Sequence, residues 1–247
     1  MNDHIRADRR GRVVLLTIDR PERRNAVDHD MLVALAGELE AAAREPGVTR
    51  ALVLTGAAGH FCAGADLSMV EDAAFLAALR SVLTGLRDAP FPTMAAVEGA
   101  ALGAGTQLAV ACDLRVATAE ASFGIPAAKL GVMVDHWTVQ RLASLAGHGP
   151  ARAMLLAAEV LTGAEALRLG LVQRRGDLGD AIAWAGQIAD LAPLTVAGHK
   201  RSLNRLETDG PAPDDVAESF RRAWSSADLQ EGLAAFRERR PPVFRGE

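Results

Sequence analysis

Between Gly99 and Gly105 the chain reads Gly-Ala-Ala-Leu-Gly-Ala-Gly, with bulk only at Leu102. Another group can therefore come close to this backbone. The run opens into a helical stretch whose first N–H groups lack internal partners and carry a positive partial charge. Such donors suit a phosphate, or a carbonyl oxygen that becomes negative during reaction. A tight strand-to-helix packing turn uses the same residues, so the run alone does not choose between the two. Farther on, Asp135 stands directly before a helical pattern that begins at His136. Aspartate is a favoured N-cap there, and a pocket aspartate can also react, so both uses stay open.

The elements that hold these residues follow an α/β order. Arg12 to Ile18 is rich in β-branched residues and ends at Asp19-Arg20-Pro21, a strand followed by a turn. Asp28 caps a helix through about Arg44, with Met31, Leu32, Leu35 and Leu39 at helical spacing. Ala51 to Leu54 is a short apolar strand, and the loop Gly59 to Leu67 leads into a second helical pattern ending near Asp88. Thr93 to Val97 is the next strand, running into the glycine turn. Strand, small-residue loop and helix alternate, as parallel crossovers require. Beyond Gly131 the chain turns helical: Trp137 to Ala146, Pro150 to Ala158, a short helix capped at Thr162 to Glu165, and Asp180 to Leu191. Pro211-Ala212-Pro213 breaks the segment opened by Pro193, and Ala217 to about Arg240 reads as a final helical pair. We divide the chain into an α/β core over 1–192 and a helical region over 193–247.

The 247 residues suffice for a sizeable core. A hydrophobic content of 49% with 23% charged residues is ordinary for a globular chain. A net charge of −4 gives no reason to expect nucleic acid. The two cysteines, Cys62 and Cys112, lie in apolar contexts, which suits a reducing compartment rather than a disulfide framework. No basic-then-apolar leader and no transmembrane-length apolar run is present, so the expected location is the cytoplasm.

Phe61-Cys62-Ala63-Gly64-Ala65-Asp66-Leu67, followed by Val97-Glu98-Gly99 through Gly105, resembles the enoyl-CoA hydratase/isomerase (crotonase) superfamily. Arg20-Pro21 with Asn25-Ala26, Ala111-Cys112-Asp113, Phe123-Gly124, Gln140-Arg141-Leu142 and Leu169 to Val172 extend the resemblance over nearly the whole chain. It implies a spiral of ββα repeats followed by a helical trimerisation region, as a homotrimer or dimer of trimers. It implies acyl-CoA as substrate or ligand, with no other cofactor and no metal. By position, the N–H groups of Ala65 and Ala104 hold the thioester carbonyl. Arg24, Ala26, Ala63, Ala65, Asp66 and Leu67 border adenine and pantetheine, and Arg239 reaches phosphate, within the chain or across a subunit contact. For Arg24 and Arg239 a solvated surface role is the plain alternative, and Asp66 suits a helix cap better than catalysis. His60 is expected to face solvent.

A hydratase of this family sets two glutamates over the α and β carbons, because a proton must be handled at each. Here those positions hold Gln107, which cannot take up a proton at neutral pH, and Ala127, which can do nothing of the kind. Asp135 aligns with a functional aspartate of dienoyl-CoA isomerases and 4-chlorobenzoyl-CoA dehalogenases. The neighbourhood of Asp135 to Thr138 and Arg141 to Leu156 resembles a mycobacterial-type subgroup of hydratase-like proteins that bind long acyl-CoA without hydrating it. Met133, His136 and Trp137, with Val70, Phe75, Leu79 and Val132, then line the acyl site, core packing being the alternative for each. The resulting expectation is a non-hydrating or weakly active acyl-CoA binder in fatty acid metabolism. The alternative is an isomerase, thioesterase or dehalogenase that uses Asp135.

Overall fold

The computed structural model describes residues 3–44, 48–66, 72–191, 193–204, 221, 224–240 and 242. In β1 (Ile5–Arg10) and β2 (Val13–Ile18) the chain forms a hairpin, followed by α1 (His29–Ala43), β3 (Ala51–Gly56) and α2 (Ala73–Asp88). Then come β4 (Thr93–Val97), β5 (Ala100–Leu102), α3 (Ala104–Ala111), β6 (Leu114–Ala117) and β7 (Ser122–Gly124). The remainder is α4 (His136–Ala146), α5 (His148–Leu156), β8 (Val160–Thr162), α6 (Gly163–Arg168), β9 (Arg174–Arg175), α7 (Leu178–Ala189), α8 (Pro193–Asn204) and α9 (Ala227–Glu238).

The main sheet runs β1-β2-β3-β4-β6-β9, parallel throughout except for the β1/β2 pair. All six residues of β2 are buried because both sheet faces are covered. On one face Val14, Leu16 and Ile18 join the core built with α1 and α2. On the other, Val13 and Leu15 meet Ala181, Ala185 and Ala189 of α7. Those alanines recur every four residues, a low ridge that lets the helix lie close on the sheet. In α1 the expected cap forms, with Met31 N–H donating to Asp28 Oδ1 at 2.9 Å, and the four apolar positions are buried.

A smaller sheet, β5-β7-β8, stands beside the first. Two isolated parallel bridges, Val27 to Ala65 and Cys62 to Ala101, extend its pairing to earlier turns of the chain. Each turn thus gives one strand to the large sheet, one short extended stretch to the small one, and a helix. This is the ββα spiral the resemblance implies.

Strands β8 and β9 lie in the stretch beyond Gly131 that reads as helical, and three further details differ from the sequence reading. Strand β1 is not apparent in the sequence, because only Ile5 of its six residues is buried and the rest form a charged, exposed edge. The second helix begins at Ala73, capped by Asp72, so Asp66 is not its cap. His60 is half-buried, its Nδ1 3.4 Å from the Ala100 N–H. The Pro211 to Pro213 break lies outside the described residues. Among the described residues, no helix is long and apolar enough to cross a membrane.

Candidate active site

Strand register builds the centre of the site. Cys62 N–H donates to Ala100 O at 2.8 Å and Leu102 N–H to Cys62 O at 3.0 Å, setting Cys62 opposite Ala101. Three residues farther along each chain stand Ala65 and Ala104. Val27 N–H donates to Gly64 O and Asp66 N–H to Val27 O, one bond on either side of Ala65. In a parallel ladder this turns the N–H of Ala65 itself away from Val27. Ala104 is the first residue of α3, so its N–H has no helical acceptor. Both residues line one cavity of about 1210 Å³. The glycine run of the sequence is therefore a packing turn and a donor site together.

Close approach of the two loops depends on Gly105, where a Cβ would stand 2.0 Å from Cys62 O. Thr106 Oγ1 donates to Ala101 O at 2.6 Å and lies 3.0 Å from the Gly124 N–H, tying the start of α3 to both neighbouring strands. All eight residues of α3 are buried, yet three carbonyls of its last turn have donors, Leu108 O from Cys112 N–H and two from arginines. Arg115, 0% exposed, donates to Ala109 O and Cys112 O, and Arg141 donates to Val110 O. Two guanidinium groups thus sit at the negative end of the helix while its positive end faces the cavity.

The cavity wall is largely apolar. Phe75, Leu76, Leu79 and Leu83 come from α2, Ile125 and Leu130 from the turn after β7, and Val132 to Val134 from the segment before α4. Trp224 Nε1 donates to Met133 O at 2.9 Å and so fixes part of that segment. Helix α9 returns to the cavity of its own chain: Phe236 and Arg237 line it, and Gly232 packs where a Cβ would stand 2.1 Å from Leu130 O. Arg23, Arg80, Lys129 and Arg237 supply positive charge along the lining.

Gln107 and Ala127 both line the cavity, so the two positions read as replacements for glutamates stand in the site. Gln107 is 7% exposed, and its Oε1 has no hydrogen-bond donor among the described residues. The lining carboxylates among the described residues are Asp66 and Asp135, and both are engaged. Asp66 Oδ2 pairs with Arg20 at 3.1 Å. Asp135 caps α4, accepting from Thr138 N–H at 3.1 Å and Thr138 Oγ1 at 2.8 Å, and pairs with Arg80 at 3.1 Å. Burial pushes the thiols of Cys62 and Cys112 up to about 12, which leaves neither as a nucleophile at neutral pH.

Of the residues singled out in the sequence, Ala26, Ala63, Ala65, Asp66, Ala104, Gln107, Met133 and Asp135 line the cavity, as do Phe75, Leu79 and Val132. Four others are not in its lining. Arg24 is exposed in a left-handed turn and contributes only its carbonyl, which accepts from Ala63 N–H. His136 opens α4 outside the lining. Trp137 is in the core, its ring 6.0 Å from each of the Arg80 and Arg87 guanidinium carbons. Arg239 forms the left-handed end of α9, and Arg237 lines the cavity instead. Leu67 and Val70 lie outside the described residues. Sequence reading passed over Arg23, Arg80, Arg237 and Trp224. For Arg80 a signal existed, since it shares a helical face with Leu76, Leu79 and Leu83.

The family model for enoyl-CoA hydratase/isomerase matches residues 8–247. The chain belongs to that family. It is 45% identical to the probable enoyl-CoA hydratase echA6 of Mycobacterium tuberculosis, over 95% of this chain and 96% of that one. The structure of EchA1_1 from Mycobacterium paratuberculosis is 35% identical and superposes with a TM-score of 0.87, covering 99% of each chain. Methylmalonyl-CoA decarboxylase, at 24% identity and a TM-score of 0.90 over 99% of each chain, shares the fold. The family's spiral accordingly serves as frame for the cavity described above.

Proposed function

We propose that this member of the family binds fatty acyl-CoA thioesters and does not hydrate enoyl-CoA at an appreciable rate. The observation that carries the reading is the donor pair of Ala65 and Ala104 opening on a cavity whose carboxylates, among the described residues, are both engaged elsewhere. The donors suit the thioester oxygen, and the apolar walls suit an acyl chain. The lining cations suit phosphate. Water addition needs a base for the water and a proton for the α carbon, and neither Gln107 nor Ala127 can serve as either. Binding in a cytoplasmic trimer or dimer of trimers belongs to the same proposal.

The test pairs two measurements on the purified protein. Acyl-CoA is expected to raise the melting temperature, while crotonoyl-CoA keeps its enoyl absorbance. Rapid hydration by the wild type, abolished in Asp135→Ala, would overturn the reading. A second reading makes Asp135 the working group of an isomerase, thioesterase or dehalogenase, and the carboxylate does line the cavity beside Arg80. It requires turnover of some CoA thioester that disappears in Asp135→Asn while binding remains.

A further inference from the structure

Ala65 is held in place by its bridge to Val27, and the residues beside that bridge converge on one guanidinium. Arg20 Nη1 donates to Ala26 O at 3.3 Å and to Asp66 Oδ2 at 3.1 Å, and lies 3.3 Å from Asp28 Oδ2. Ala26 and Asp28 flank Val27 on one segment, and Asp66 follows Ala65 on the other. The Arg20 side chain is only 16% exposed and is not in the cavity lining, so a ligand in the cavity does not touch it. Both carboxylates are partly buried and share this cation. Without it they repel each other across the bridge that carries Ala65. A hydrogen bond weakens steeply once its donor turns from the acceptor, so a small opening of the bridge is enough to misdirect the Ala65 N–H.

Resting on the acyl-thioester reading, we propose that Arg20 is the positioning residue of the donor pair. By clamping both segments of the Val27–Ala65 bridge it keeps the Ala65 N–H aimed at the thioester oxygen. Side chains that lock a site's donors from behind set its precision without contacting the ligand. Arg20 moves no proton and makes no bond to the thioester. Its effect is therefore confined to the carbonyl contact. A CoA thioester loses affinity when Arg20 is removed, whereas a CoA thioether, with a CH2 in place of the carbonyl, keeps its own.

Calorimetric titration compares dodecanoyl-CoA with S-dodecyl-CoA, the thioether of the same chain length. Wild-type protein is expected to bind the thioester roughly ten-fold tighter. In Arg20→Met that ratio is expected to fall below about two, through loss of thioester affinity alone. Should Arg20→Met not fold, Arg20→Lys keeps the charge but not the planar fork, and its ratio is expected to fall to roughly three. An unchanged ratio in the variant that folds overturns the inference. So does an equal loss for both ligands, which makes Arg20 a support of the fold or of the CoA portion they share. Equal wild-type affinities for the two ligands also overturn it, and leave CoA binding standing. Absence of binding by either ligand overturns the functional reading itself, and this inference with it.

Discussion

Ala104 offers the cavity a backbone donor from the first position of a helix, the one place where proline fits a helix without breaking it. Ala104→Pro is therefore expected to delete the donor and keep the fold. The melting temperature should fall by no more than about 4 °C, while calorimetry shows acyl-CoA affinity reduced roughly ten-fold. Unchanged affinity would remove Ala104 from the thioester site. The carboxylate positions can be probed in the opposite direction. Gln107→Glu combined with Ala127→Glu supplies a proton acceptor and a proton donor at two lining positions that hold neither. Positioned acid–base groups contribute factors of about 10² to 10⁴, so crotonoyl-CoA hydration should rise at least about 100-fold over the parent. No gain would mean that something other than these two side chains keeps the site from hydrating.

Among the elements, the last described helix and α8 are held by different chemistry. Helix α9 is seated by Gly232 against Leu130 O, and Leu229 and Leu233 are buried beside it. Gly232→Ala inserts a methyl where no room exists, which costs about 1–3 kcal/mol. The expected result is faster proteolysis within α9 and weaker acyl-CoA binding, since Phe236 and Arg237 leave the lining with it. Helix α8 is anchored by Lys200, only 6% exposed, whose Nζ donates to Leu86 O and Phe91 O and pairs with Asp113 at 2.7 Å. Lys200→Met takes the cation from Asp113, leaving it, among the described residues, only its bonds from Thr93, and removes a donor from Leu86 O and Phe91 O, and should lower unfolding stability by about 3 kcal/mol in a denaturant titration. A loss below about 1 kcal/mol would show that α8 is held by other contacts. Elements also mark how far the sequence could be read. Continuous apolar runs such as Leu15-Leu16 and Leu52-Val53-Leu54 announce strands covered on both faces. β1 escapes notice because a charged edge has no apolar period. Arg237 and Arg239 look alike in the sequence; only the left-handed turn at Arg239, which ends the helix, separates the one that lines this chain's cavity from the one that does not.

At the scale of the whole molecule, alkaline pH should act through the two buried thiols. Each has its pKa raised from 9.0 to about 12 by burial, so the unfolded chain loses these protons before the folded one does. Fewer protons on the unfolded state means stability falls as pH rises. The window lies between about pH 9 and pH 12, with a limiting slope of about 1.4 kcal/mol per pH unit for each cysteine. Melting curves across that window should steepen in their decline above pH 9, and Cys112→Ala should make the decline shallower. The whole-molecule plan was legible only through resemblance: strand–helix alternation implies parallel crossovers, but not that Cys62 pairs with Ala101. That register is set by close contacts of glycine and threonine with backbone, which leave no periodic trace in the sequence.

The donor pair has a practical corollary for mutagenesis. Both N–H groups belong to alanines, so an alanine scan of this chain passes over them unchanged. Most other ways of disturbing them, such as filling Gly105 or cutting away Thr106, strike backbone contacts that hold the loops together. A survey by side-chain truncation would register the apolar walls and the cations, and would score the centre of the site as blank or as misfolded. Only a change to the main chain itself, by an imino acid at position 104 or an ester in place of the amide, removes a donor outright.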